Sequence, residues 1–301
     1  MQKYTLMGFK GIYKHKSSVS KVGILFLLIF VSAVLHTFIG ALIVYLFAEN
    51  GLQIIQNQDL SNQISVNYLK LMQFFSAVGL FVTPTFLYAY LTNFDFKFLA
   101  ISRQNSILVI AIMLLITPFI GFLLEWNMMI PFPDWLLSSD GKSEAIVEAF
   151  LKMSTYWDLL FTLLVVAAVP AIGEELLFRG YLQQKFGKWF GNIHTSILIT
   201  AFLFSAIHFH FQGIIPRFVL GVLLGYLFYW SQSLWIPIIA HFINNAMAII
   251  ISYPFFQTFD FVQSFNNYNE SAIPQTNISY VLFSLLSVGL LMSLFYKNSR
   301  L

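Results

Sequence analysis

The chain has 301 residues, 58% of them hydrophobic, 18% aromatic and 10% charged, with a formal net charge of +3. Soluble chains are about 25% charged, so this composition excludes an ordinary soluble domain and predicts an all-α polytopic membrane protein. Cysteine is absent, which removes disulfides, a thiol nucleophile and any cysteine metal site. Lipid is the expected surrounding, and nucleic acid is not an expected partner.

A hydrocarbon core of about 30 Å needs roughly 20 apolar residues as helix. Eight stretches are expected to span it: Val22–Ala48, Val66–Leu91, Ser106–Leu124, Trp157–Gly180, Ile193–Phe211, Ile214–Trp230, Leu234–Tyr253 and Ser279–Tyr296. The first is too long for a signal-peptide core of roughly 7–15 residues and reads as a retained span. The fifth and sixth break only around Gln212-Gly213, and the sixth and seventh only at Ser231-Gln232-Ser233.

With the N-terminus inside, twelve of the Lys and Arg residues, from Lys3 to Arg300 and including Arg179, fall on inner segments. Lys70, Lys142, Lys152 and Arg217 fall on outer ones. That asymmetry predicts eight spans with both termini cytoplasmic. The outer loops are polar: Glu49 to Ser65, then Glu125 to Tyr156 with an amphipathic stretch carrying Glu144 and Glu148, then Pro254 to Ile278. Asn269-Glu270-Ser271 in the last loop matches the short glycosylation pattern. No internal repeat and no phosphate-binding glycine loop appears. The chain reads as one integral domain in three parts: 1–156 with three spans, 157–253 with four, and 254–301 with a loop and the final span.

The fourth stretch runs into Gly173-Glu174-Glu175-Leu176-Leu177-Phe178-Arg179-Gly180. A charge at the bilayer centre costs roughly 2.5–3.5 kcal/mol on insertion scales, so three within six positions need a reason. Arg179 is one turn beyond Glu175, and the two pair on one face. Glu174 points about 100° away and has no obvious partner, which makes it a candidate for chemistry.

Two more spans carry polar groups. The fifth holds Phe204-Ser205-Ala206-Ile207-His208, with His210 on another face at the interface. The seventh holds His241-Phe242-Ile243-Asn244-Asn245, where His241 and Asn245 share a face. The competing reading of each is a polar residue that only glues helices together. His36 reads as a packing residue, and Gly221-Val222-Leu223-Leu224-Gly225 as a close-packing pattern. Hydrolysis of an amide needs a base for the attacking water and donors for the oxyanion. A carboxylate in apolar surroundings suits the base, so Glu174 takes that role, with His208 positioning the water and His241 and Asn245 on the oxyanion. A second version binds a divalent metal such as zinc through Glu174, His208 and His241 and activates water on it.

The three motifs, Glu174-Glu175-x-x-x-Arg179, Phe204-x-x-x-His208 and His241-x-x-x-Asn245, occur in that order, each in a span. Together they resemble the CPBP family of intramembrane proteases, which includes type II CAAX prenyl endopeptidases and bacteriocin-processing homologues. The resemblance covers about Trp157 to Tyr253. It implies an eight-helix bundle, an endopeptidase acting on a peptide or protein substrate at the membrane, and a bacterial inner-membrane location. It also implies Glu174 as water-activating base, Glu175 and Arg179 supporting it, and His208, His241 and Asn245 completing the site, either metal-assisted or metal-free. Two other classes remain open. One is a non-catalytic immunity or scaffold protein of the same fold; the other is a proton- or cation-coupled transporter, which an inverted repeat would favour.

Helix geometry sets one test for this site. At about 1.5 Å per residue, Glu174 stands about 16 Å above Lys185, His241 about 10 Å above the turn before it, and His208 about 24 Å above Asn192. Straight helices starting level would leave His208 roughly 10 Å too high, so tilt or a deeper start must bring the three together.

Overall fold

A computed structural model describes residues 6–258 and 277–299. Lys3, Arg300 and the Asn269-Glu270-Ser271 pattern lie outside the described residues. Eleven helices of seven or more residues make up the described chain, with short 3₁₀ turns and no strand among the described residues. They are α1 (Ser18–Phe47), α2 (Gly51–Asn57), α3 (Gln63–Thr92), α4 (Arg103–Leu115), α5 (Thr117–Met128), α6 (Asp134–Leu151), α7 (Tyr156–Phe190), α8 (Ile193–Ala206), α9 (Ile214–Ser231), α10 (Trp235–Ser252) and α11 (Ile278–Asn298). Six of the long helices are long and apolar enough to cross a membrane: α1, α3, α7, the helix ending at Ser231, α10 and α11. The α4–α5 pair is a seventh candidate, broken by a 40° bend, and α8 is a shorter apolar helix. This is an integral membrane protein. All eight expected stretches are helical, although α8 and the bent pair do not reach the length of a straight span.

Prolines explain much of the irregularity. A proline ring clashes with the carbonyl four residues back. In α3 the segment Val78–Val82 widens to a π-helix just before Pro84, and in α7 Leu163–Ala168 does so just before Pro170. The wider turn accommodates the ring and both helices continue. At Pro118 the chain bends instead, at Ile116, and the expected single span Ser106–Leu124 becomes α4 and α5.

The centre of the bundle is α7 to α10. On one side α1 packs against α3, and α3 against α7; on the other, α4 and α5 pack against α10, α9 and α11. Gly173 lets α3 approach α7 closely: a Cβ there would stand 2.6 Å from Phe81 Cβ. The Gly221/Gly225 pair does the same for α8 and α9. Methyl groups at those positions would meet Ala201 Cβ at 3.0 Å and Ile197 Cγ2 at 2.8 Å. His36 packs as expected, its Nδ1 donating to Ser32 O at 2.9 Å and its Nε2 facing Thr83 Oγ1 at 3.3 Å.

Two charges counted toward the outer and inner ends of their spans fold into the bundle. Lys70 is buried within α3, where Nζ donates to Thr162 Oγ1 of α7 at 2.8 Å. Arg179 is buried within α7. Both long side chains fold into the bundle because a hydroxyl or carboxylate waits there.

Candidate functional site

Each site residue is placed by a recognisable local device. α7 does not stop at Gly180 but runs on to Phe190, ending with Gly191 in the left-handed region at φ 63°. Asn192 then caps α8, accepting from the backbone of His194 at 2.8 Å and of Thr195 at 3.2 Å. Gly191 is therefore seventeen positions from both Glu174 and His208. The two arms of this hairpin are equal in residue number, which helps bring Glu174 and His208 to one level.

α8 is shorter than the expected Ile193–Phe211. It ends at Ala206, and His208 sits in the turn that follows, with Phe209 in the left-handed region. The turn holds because Ser205 Oγ donates to Ile214 O at 2.6 Å, and Asn127 both donates to Phe211 O at 2.9 Å and accepts from Ile215 N at 2.7 Å. Ser205 is thus occupied as a brace.

His241 reaches the same level because α10 starts deep. Ser233, Leu234 and Ile236 are fully buried. The non-helical stretch across residues 97–99 straps this start in place: Leu234 N donates to Lys97 O at 2.9 Å and Ser233 Oγ to Leu99 O at 2.6 Å.

Glu174 Oε2 lies 3.9 Å from His208 Nε2 and 3.9 Å from His241 Nε2. That oxygen is buried and makes no hydrogen bond. Behind it, Glu175 Oε1 accepts from Arg179 Nη1 at 2.5 Å and from His241 Nδ1 at 2.8 Å. Arg179 also donates through Nη2 to Gly221 O at 3.1 Å. His208 Nδ1 donates to Phe204 O at 2.8 Å. With both Nδ1 positions donating, each Nε2 turns toward Glu174. Glu174 retains 11% of its side-chain exposure, His241 7% and His208 32%, whereas Glu175 and Arg179 have none. The site thus has a sealed ion-paired back and a partly open front at His208.

Asn245 stands one turn beyond His241. Its Nδ2 donates to Val166 O at a long 3.4 Å, and its Oδ1 accepts from Asn244 at 3.1 Å. It is brought to the α7 side of α10, but its present partners are those two and not Glu174.

The arrangement of Glu174, His208 and His241 can be tested against a metal. Two ligands on one tetrahedral zinc, bound at about 2.0–2.1 Å, stand about 3.3–3.4 Å apart. The two separations of 3.9 Å are wider, and among the described residues no group of three or more His, Asp or Glu side chains is set to hold an ion. Both imidazoles present Nε2 to the site and are anchored through Nδ1, His241 on a carboxylate and His208 on a backbone carbonyl, which is also how metal-bound imidazoles are oriented.

Three supporting arrangements were not read from the sequence. Phe204 packs edge-on to His208 and His241, with centroids 5.3 and 5.6 Å away, and its ring lies 4.6 Å from Arg179 Cζ. Gln183 is buried and donates to Gly225 O at 2.9 Å. Arg179 and Gln183, four apart on α7, thus match the carbonyls of Gly221 and Gly225, four apart on α9. That shared spacing was a signal available in the sequence. The third is the anchor at the start of α7, where Lys70 meets Thr162 and Asn67 donates to Asp158 at 3.3 Å.

Comparison with known proteins places this site in context. Residues 156–247 match the family described as type II CAAX prenyl endopeptidase Rce1-like. The Bacillus subtilis (strain 168) protein named "Uncharacterized protein YpbD" is 32% identical over 120 residues, covering 38% of this chain and 54% of that protein. The chain thus spans about half the length of that curated relative. No solved structure matches.

Proposed function

We propose that this protein, whose residues 156–247 carry the Rce1-like pattern, is an intramembrane endopeptidase that hydrolyses a peptide bond of a membrane-associated peptide or protein. The observation that carries the proposal is the unpartnered Glu174 Oε2 at equal distance from two imidazole Nε2 atoms. In this reading eight spans cross a bacterial inner membrane with both termini cytoplasmic, and residues 157–253 form the catalytic part.

The chemistry follows from the proton positions. Water lies between Glu174 and His208. Glu174 takes a proton from it as the oxygen attacks the carbonyl carbon. The carbonyl oxygen becomes an oxyanion, and His241 meets it through Nε2–H, the imidazolium being held by Glu175 at Nδ1 as a buried carboxylate holds its histidine in a hydrolytic triad. Asn245 exchanges its long bond to Val166 O for a second donor contact to the oxyanion. Glu174 then returns its proton to the departing amine, and the C–N bond breaks. Arg179 holds Glu175 in place throughout. No step calls on a metal.

The test is cleavage of a fluorogenic membrane-anchored peptide by the purified protein in proteoliposomes. Activity in the natural chain and none in Glu174→Gln supports the reading. Binding of the peptide without turnover in either would favour the scaffold reading.

A further inference from the structure

The end of the molecule far from His208 carries a charge imbalance that the peptidase chemistry does not use. Five segments meet there: residues 6–21, 92–103, 184–192, 231–235 and 297–299. Gly11 N donates to Tyr90 O and Tyr13 N to Leu91 O, both at 2.9 Å, so the N-terminal turn is docked on the end of α3. Asn105 of α4 reaches Ser299 Oγ at 3.3 Å. Gln184 lies against Asp95 O. Within these segments lie Lys10, Lys14, Lys16, Lys21, Lys97, Arg103, Lys185, Lys188 and Lys297, and Asp95 is the single acidic residue. Its Oδ1 is turned back onto Lys97 N at 2.8 Å.

Four of the lysines come from neighbouring segments, with Lys21 Nζ donating to Lys14 O at 2.6 Å and Lys97 Nζ donating to Gln232 Oε1 across the strap. Lys21 belongs to α1, Lys97 to the strap, and Lys185 and Lys188 to the last turns of α7. Lys185 stands within electrostatic reach of Lys21 and Lys188, and Lys97 within reach of Lys188. Burial holds the Lys97 ammonium below the ordinary lysine pKa; Asp95 opposes this and Lys188 adds to it. Like charges gathered from three elements gain nothing from one another. An anion seated among them would relieve the repulsion.

The depth of the group limits the kind of anion. It lies where the membrane-length helices α1, α3, α7 and α11 end, and helices matched to a hydrocarbon core of about 30 Å end among the headgroups. The same surface exposes Phe9, Ile12, Trp189 and Phe190. Aromatic side chains beside lysines are the usual anchors of a membrane interface. A free ion would not cover those rings, whereas a phospholipid brings an anionic head and an acyl chain together at the depth where these helices end.

We propose that Lys21, Lys97, Lys185 and Lys188 form a binding surface for the headgroup of an anionic phospholipid, with Trp189 and Phe190 against its acyl region. The inference rests on the membrane reading and is independent of the peptidase reading.

The full chain, purified in detergent, is unfolded thermally with increasing dioctanoyl phosphatidylglycerol, dioctanoyl phosphatidylcholine or inorganic phosphate. A ligand of the folded state raises the midpoint saturably. The expected result is a saturable rise with phosphatidylglycerol alone, lost when the four lysines become glutamine and kept in Lys142→Gln on the opposite end. Should the fourfold variant not fold, Lys188→Gln alone is expected to shift the titration to higher lipid, and Lys188→Arg to restore it. An equal rise with phosphatidylcholine, or an unchanged titration in the variants, overturns the proposal. A rise with inorganic phosphate alone also overturns it, and identifies a free-anion site instead.

Discussion

His241 donates to the same Glu175 oxygen that accepts from Arg179, at 2.8 and 2.5 Å. The histidine and the arginine therefore share one acceptor atom, and the other oxygen of Glu175 is buried with no hydrogen bond. This shared acceptor ties the orientation of a site histidine to an ion pair with no exposure at all.

The first prediction concerns Glu174. Glu174→Gln keeps shape and volume but removes the base, and loss of a positioned base costs about 10²–10⁴-fold in rate. Cleavage should fall by that amount, while membrane insertion and thermal midpoint in detergent stay near those of the natural chain. Comparable cleavage by the variant would remove Glu174 from the role of base.

Glu175→Ala should behave differently. It leaves the fully buried Arg179 without its carboxylate, and breaking a buried pair costs about 3–5 kcal/mol. Both stability and activity should drop, as read by thermal unfolding and by the peptide assay. An unchanged midpoint would contradict the ion-pair account.

Phe204→Leu tests the aromatic support. It removes the ring under Arg179, worth about 0.5–2 kcal/mol, and both ring contacts to the histidines. The expected result is a lower kcat with a displaced pH profile of kcat/KM, since two imidazoles lose a neighbour. Phe204→Tyr should recover most of the profile. A fall in stability with the pH profile unmoved would reduce Phe204 to packing alone.

Gly225→Ala tests the α7–α9 register. Its methyl would meet Ile197 Cγ2 at 2.8 Å and Gln183 Oε1 at 3.1 Å. Overpacking of this kind costs about 1–3 kcal/mol. Thermal unfolding should show that loss, and Gly289→Ala, where a Cβ meets nothing within 4 Å, should show none.

Chelation gives the last test. Because the Glu174–imidazole separations exceed those of a zinc site, prolonged dialysis against a strong chelator should leave peptide cleavage unchanged. Loss of cleavage that added zinc restores would require the three side chains to close on an ion.

Much of this site was legible in the sequence because charge in an apolar helix is costly and therefore informative. Glu174, Glu175, Arg179 and His241 stand out for that reason, and the i to i+4 spacing alone gives the Glu175–Arg179 pair. What could not be read was depth. Apolar composition marks where a helix can run, but not where it must stop, so Gly180 looked like the end of a helix that continues to Phe190, and Phe211 like the end of one that stops at Ala206. The first of those endpoints accounts for most of the expected offset of about 10 Å: counted from Phe190 rather than Lys185, Glu174 stands about 24 Å up its helix, level with the count for His208. The start of α10 was hidden for a related reason: the residues that strap it, 97–99, are more than a hundred positions away. Asn245 was placed correctly by helical phase, yet phase says nothing about which carbonyl its amide finds.

The equal arms about Gly191 have a consequence for how such a chain can vary. A residue gained or lost between Glu174 and Gly191 slides one reacting group along the hairpin by about 1.5 Å and turns it by about 100°, while its opposite number stays where it was. A matched change on the other limb restores the level but not the facing of the two groups, so the inner part of this hairpin should tolerate single-residue length changes poorly. Segments outside 174–208 carry no such constraint, so lengthening the loops at either rim should leave the pairing of Glu174 with His208 intact.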